Sequence, residues 1–131
     1  MFKTRILGLA FLLAMIFSFS CAPRVNLGPA YVAYPENQPI EIELRSFSFS
    51  PNHIAILKNR APFTFRLTNT TNRWHNFTLV DPNKNIVFKK NLGPKESTIF
   101  TIETLESGNY LFYCDRFLCR FLGMEGMFMV E

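Results

Sequence analysis

The chain has 131 residues, 48% of them hydrophobic and 15% aromatic, with 15 phenylalanines. That length and apolar content suit one domain with a full core and leave no room for two. Charged residues are 18% of the chain and the formal net charge is +4, which excludes a disordered chain; no Lys/Arg cluster lies along one segment, which excludes a nucleic-acid binder.

Lys3 and Arg5 form a short basic start, and residues 6–19 are an almost unbroken apolar run. The run has the length of a signal-peptide core and is short for a membrane span. It ends at Ser18-Phe19-Ser20-Cys21-Ala22-Pro23. A small residue directly before a cysteine resembles a bacterial lipoprotein processing site, although Ser18 stands where such sites usually carry Leu. Residues 1–20 are therefore expected to be a leader, with Cys21 the lipidated first residue of an exported, membrane-anchored protein in the periplasm or on the outer surface. Ordinary signal cleavage or a retained anchor would also place the domain outside the cytoplasm. Residues 21–39, rich in Pro, Gly, Asn and Tyr, are a tether, with a first edge strand near residues 31–34.

From there the pattern has period two. Ile40, Ile42 and Leu44 alternate with Glu41, Glu43 and Arg45, and Phe47 and Phe49 continue the alternation up to Pro51-Asn52. Residues 54–57 form a short strand. Phe63, Phe65 and Leu67 alternate with polar residues before the polar loop 69–72. Strands follow at 76–80, 86–88, 97–103, 110–114 and 127–131, separated by Asp81-Pro82-Asn83, Leu92-Gly93-Pro94 and Ser107-Gly108-Asn109. Seven or eight short strands with turn signals between them and no long helix imply an antiparallel sandwich or small barrel.

With Cys21 assigned to the leader, Cys114 and Cys119 remain in a compartment that permits disulfides. His75 opens a strand and Cys114 ends another, so the two can meet at one pole of a sandwich. Met124 lies between the last loop and the final strand. Thiolate, thioether and imidazole together favour copper over hard cations.

In these residues the chain resembles the cupredoxins, particularly the plastocyanin- and rusticyanin-like blue copper proteins, over roughly residues 40–131. Three segments carry the resemblance: Phe47-Ser48-Phe49-Ser50-Pro51, the stretch from Asn69 to His75-Asn76-Phe77, and the C-terminal ligand loop. In the family that loop runs Tyr-x-Phe-x-Cys, four residues, His, four residues, Met, then Gly. Here Tyr110, Phe112, Cys114, Cys119, Met124 and Gly126 keep the register, but Cys119 stands in the place of the second His. The Pro-Gly that commonly precedes that His is replaced by Phe117-Leu118.

The resemblance implies an all-β, antiparallel Greek-key sandwich. It makes His75 the first imidazole ligand, Cys114 the thiolate and Met124 a weak axial ligand to one copper ion cycling between Cu(I) and Cu(II). It implies electron transfer with a redox protein as partner. Cys119 has three readings. As a second thiolate it makes the set softer and favours Cu(I), which suits holding or delivery to a copper-handling partner. As the partner of Cys114 in a disulfide it closes the site and leaves a metal-free interaction module. As an apolar filler it does neither. The first is favoured because His75 and Met124 keep their places, and a disulfide needs neither. No His follows His75, which argues against a dinuclear copper centre.

Taken alone, His75 would be an ordinary strand-end histidine and Met124 core filler; their spacing to Cys114 argues otherwise. His53 is expected in a surface turn, and Trp74 is either core or a lid. Phe117, Leu118, Phe121 and Leu122, interrupted by Arg116 and Arg120, either face outward as a partner-docking patch or fold inward as a turn packed on the sandwich. No Ser-His-Asp set, convergent carboxylate pair or Gly-rich phosphate loop supports an enzyme.

Overall fold

A computed structural model describes residues 26–32, 38–57 and 61–131. The expected leader, Cys21 and most of the tether lie outside these residues. Ten strands are described: β1 (Tyr31–Val32), β2 (Ile40–Arg45), β3 (Ser48–Ser50), β4 (His53–Ile56), β5 (Phe63–Asn69), β6 (His75–Val80), β7 (Ile86–Leu92), β8 (Ser97–Ile102), β9 (Gly108–Tyr113) and β10 (Glu125–Val130). They form a six-stranded sheet in the order β1-β4-β10-β9-β6-β7 and a four-stranded sheet in the order β3-β2-β5-β8. The expected sandwich is therefore present.

Two details differ from the period-two reading. The run 40–49 is not one strand. It folds into the β2–β3 hairpin, with Arg45 opposite Ser48 and Phe47 in the left-handed region at φ 58°. The sequence registers this reversal only as a one-residue slip, the apolar positions passing from even (Ile40, Ile42, Leu44) to odd (Phe47, Phe49) across Arg45-Ser46. Nor is the pairing wholly antiparallel: β1–β4, β4–β10 and β2–β5 are parallel. These are the places where the chain changes sheets or crosses over, which hydrophobic pattern does not record.

The alternation itself explains the core. Ile40, Ile42 and Leu44 of β2 and Phe63, Phe65 and Leu67 of β5 face inward from the smaller sheet. Ile54 and Ile56, Phe77 and Leu79, Tyr110 and Phe112, and Phe128 and Val130 meet them from the larger. The phenylalanines concentrate here. Phe77 stacks on Phe112 at 5.3 Å, and Phe49 places its edge against both. Phe88 of β7 stacks on Phe100 of β8 at 3.7 Å and seals the side of the sandwich between two edge strands. Such ring pairs add to plain burial. The Tyr110 hydroxyl, at the edge of this core, donates to the Glu106 carbonyl at 2.9 Å and ties β9 to its incoming turn.

Gly126, the second residue of β10, lies against the Phe112 ring, and a Cβ there would sit 2.5 Å from the Asn52 carbonyl oxygen. A backbone oxygen and a fully buried ring cannot both give way. Gly126→Ala is expected to cost about 3 kcal/mol, as overpacking of a tight core does, and to lower Tm by roughly 10 °C or more. Thermal and denaturant unfolding check this; an unchanged midpoint would mean the β10–Phe112 contact is looser than described.

Candidate metal centre

One pole of the larger sheet gathers the chemistry-bearing residues. Strand β9 lies between β6 and β10 and is antiparallel to both. Its C-terminal end, where Cys114 follows Tyr113, therefore meets the starts of both neighbours. Tyr113 pairs with Glu125, the first residue of β10, and with Thr78, three residues after His75.

His75, Cys114 and Cys119 are all buried, and one ligand atom from each lies within 4.8 Å of the others. His75 Nδ1 and Cys119 Sγ are 3.8 Å apart. Metal bonds of about 2.3 Å to sulfur and 2.0 Å to nitrogen hold the ligands of one ion roughly 3.3–4 Å apart, so this spacing suits a single ion. The Asn76 N–H donates to Cys114 Sγ at 3.4 Å. His75 Nε2 is buried with no hydrogen-bond partner among the described residues, which is costly for a polar atom in a folded interior. Both thiols are free, so the disulfide reading is not the state described.

Met124 is fully buried beside them. Its N–H donates to the Cys119 carbonyl at 3.0 Å, and its carbonyl accepts from the Cys114 N–H at 3.1 Å. The Met124 peptide is thus held between the two cysteines, which fixes the closure of the loop. Between them the chain coils. Cys119 N–H bonds to Arg116 O at 3.0 Å, Leu122 N–H to Leu118 O at 2.9 Å and Gly123 N–H to Arg120 O at 3.0 Å. Leu118 (φ 61°) and Gly123 (φ 95°) make the reversals. The coil turns Cys119 inward, 5% exposed, and turns Phe117 and Phe121 outward, 90% and 71% exposed. The two expectations for this segment each hold in part: it forms a turn, and its apolar residues face out.

The electrostatics leave the buried donors His75 and Cys119 uncharged. Burial, aided by Arg116 and Arg73, pushes the His75 pKa down and keeps the imidazole neutral. Burial, and then the hydrogen bond to Cys114, pushes the Cys119 thiol up to about 12. Unaided, the second thiol keeps its proton at neutral pH; a thiophilic cation is what displaces it.

Other residues position the site, and Asn69 and Asn76, both in the second segment that carries the resemblance, do so through their hydrogen bonds. Asn69, fully buried, donates from Nδ2 to the carbonyls of Arg73 (2.7 Å), Leu92 (3.2 Å) and Gly93 (2.8 Å). Its Oδ1 accepts from the Thr71 N–H and hydroxyl. It fastens the loop that leads into His75. The signal was legible, since Asn69 continues the inward phase of Phe63, Phe65 and Leu67. Asn76, also fully buried, donates to Asn91 Oδ1 at 3.0 Å and accepts from Thr78 Oγ1 at 2.6 Å. Arg120 lies 4.3 Å over the Tyr113 ring and bonds Glu125 at 3.1 Å, bracing the ligand loop against β9 and β10. His53 instead opens β4, with Nδ1 3.3 Å from the Gly28 carbonyl, and belongs to no ligand cluster among the described residues. Trp74, left open by the sequence, is 54% exposed beside His75.

A family model described as a cupredoxin-like domain matches residues 8–130. No curated protein matches. Among solved structures, the chain is similar to reduced auracyanin from Roseiflexus castenholzii, at 21% identity over 71% of this chain and 96% of that one, with a TM-score of 0.64. It is similar to reduced rusticyanin at 18% identity over 79% and 85% of the two chains, with a TM-score of 0.60. The metal-binding domain of the Cu(I)-exporting P-type ATPase CopA of Streptococcus pneumoniae, solved with Cu(I), shares 18% identity over 78% and 95%, with a TM-score of 0.57. At these identities the likeness is one of fold.

Asn69→Ala would leave three carbonyls and an N–H without their partner. It should cost about 2–3 kcal/mol and speed hydrogen exchange at Thr71 and Arg73. Exchange unchanged in that loop would show that other contacts hold His75 in place.

Proposed function

The chain belongs to the cupredoxin-like domain family, and from that premise we propose that it is an exported copper protein. It holds one copper ion through His75, Cys114 and Cys119, with Met124 as a weak fourth ligand, and it exchanges single electrons with a redox protein. The observation that carries this reading is the buried cluster itself: an imidazole and two free thiols within 4.8 Å. Copper bound there would supply a one-electron couple in a soft, water-poor setting. The rest is the work of the chain. The Asn76 N–H bond orients Cys114 Sγ, the Met124 peptide holds both cysteines in place, and the Asn69 clamp fixes the approach to His75. A frame held at so many points moves little when the charge at its centre changes.

The site residues support a carrier or holder of copper and no catalysis of a bond-making reaction. The apolar run before Cys21, with its lipoprotein-like end, supports an extracytoplasmic, membrane-anchored location.

One observation favours a second reading. Cys119 stands where an imidazole would make the set suited to Cu(II), and a second thiolate shifts preference toward Cu(I). Holding Cu(I), or delivering it to a copper-handling partner, fits that donor set. Reversible one-electron cycling separates the two roles.

Protein purified without oxygen and supplied with Cu(I) should bind about one copper per chain, with both thiols protected from alkylation. His75→Ala and Cys114→Ala should each lose it. No bound copper would overturn the proposal. Cys119→His restores two imidazoles and one thiolate, the donor set of blue-copper electron carriers. It should cycle reversibly between Cu(I) and Cu(II). Electron transfer predicts that the copper-loaded wild-type chain does the same with both thiols retained, whereas Cu(I) holding predicts that two Cu(II) ions are reduced for each Cys114–Cys119 disulfide formed. A Cys119→His chain with the wild-type spectrum and potential would show that Cys119 is not a ligand.

A further inference from the structure

The ligand loop ends in an apolar tip. Phe117 is 90% exposed and Phe121 71%, and Leu118 and Leu122 stand half out beside them. Trp74, on the loop before β6, adds an exposed indole at the same pole. Arg73 stands two residues before His75, and Arg116 two residues after Cys114 in the ligand loop. Both are exposed, and neither side chain has an ion-pair partner among the described residues. Exposed Phe, Leu and Trp flanked by unpaired arginines are the composition of a surface that enters the headgroup region of an anionic bilayer.

A second, independent observation concerns where the chain enters the fold. Strands β1 and β4 run parallel to β10, and β10 starts at the metal pole and runs away from it. The segment before β1 therefore lies toward that pole. Asn52 ties it there: its Nδ2 donates to the Asn26 carbonyl, its Oδ1 accepts from the Gly28 N–H, and its own carbonyl accepts from the N–H of Met127. Asn26 thus sits at the end of the sandwich that carries Cys114 and Cys119. The anchor that the sequence supports is a lipid on Cys21, or the apolar run 6–19 where it is retained, and the five steps from Cys21 to Asn26 reach at most about 18 Å. A chain held at a membrane by the residues before Asn26 has its metal pole, and not the opposite end, nearest the lipid.

We propose that the metal pole is a membrane-docking face: Phe117, Leu118, Phe121, Leu122 and Trp74 rest in the interface of an anionic bilayer, with Arg73 and Arg116 against its headgroups. The inference does not depend on which metal the site holds. It sets the direction from which a partner reaches the site, along the membrane plane.

Trp74 is the chain's single tryptophan and reports directly. The full chain is reconstituted into vesicles of phosphatidylcholine and phosphatidylglycerol, with or without lipids brominated near the top of the acyl chain. Interfacial seating predicts a roughly twofold or greater loss of Trp74 emission with the brominated lipid. The double variant Phe117→Ser/Phe121→Ser, whose side chains face solvent and bear little on folding, should remain vesicle-bound through its N-terminal segment and recover most of that emission. If wild-type Trp74 is not quenched while the chain floats with the vesicles, the pole faces water, the patch is left to a soluble protein, and the proposal is overturned. Quenching that persists in the double variant overturns it as well, because the loop tip is then not what rests on the lipid.

Discussion

The site depends on one topological constraint: β9 lies between β6 and β10 and runs against both. Tyr113, the last residue of β9, pairs with Glu125 at the start of β10 and with Thr78, three residues after His75, so Cys114 follows at the pole where both neighbours begin. Cys114, His75 and Met124 are therefore brought together by backbone hydrogen bonding before any side chain contributes. What the side chains add is closure. The Met124 peptide bonds to both cysteine residues, Asn76 bonds to the sulfur of Cys114, and Arg120 bridges Tyr113 and Glu125. The aromatic core lies directly beneath, with Phe112 two residues before Cys114 and Phe77 two residues after His75, stacked on each other. The residues that position the ligands are also the residues that fill the sandwich.

This explains why so much of the arrangement is legible in the sequence. Each inward residue of β2 and β5 follows from alternation, because one face of a sandwich strand must be apolar. The candidate ligands are legible because they stand at strand ends, at a spacing set by the loop that joins β9 to β10. What alternation does not carry is strand partnership. The reversal at Phe47 shows only as a slip of the apolar positions from even (Ile40, Ile42, Leu44) to odd (Phe47, Phe49), and the parallel pairing of β2 with β5 depends on which strands share a sheet. The hydrogen-bond clamps were legible only in part. Asn69 stands in an inward phase and so announces a buried polar role, whereas Asn76 stands in the outward phase of β6 and is buried only because both faces of that strand are covered.

Burial of the ligands and exposure of their loop follow from a single local choice. A loop of nine residues between Cys114 and Met124 that coils on itself must alternate what it shows. With Cys119 turned in, Phe117 and Phe121 are turned out, one at each side of it. The exposed apolar tip is the outward half of the same coil that turns Cys119 in.

Access to the metal site then becomes a question about the same loop. Cys119 is almost wholly covered, so a metal ion enters or leaves only if the coil between residues 116 and 123 opens, and it is held by three backbone bonds and the Arg120–Glu125 pair. Electron exchange at the proposed centre would need no such opening, since it moves no ion through the coil. A site that is closed to ions and close to its surface suits a resident metal better than a transient one. A pole whose covering is lipid makes the distinction sharper, since opening the coil would expose the thiols at the membrane interface. The two roles drawn from the donor set are therefore separated by the mechanics of the loop as well as by its chemistry: rapid electron exchange with the coil closed, or slow metal exchange with the coil open.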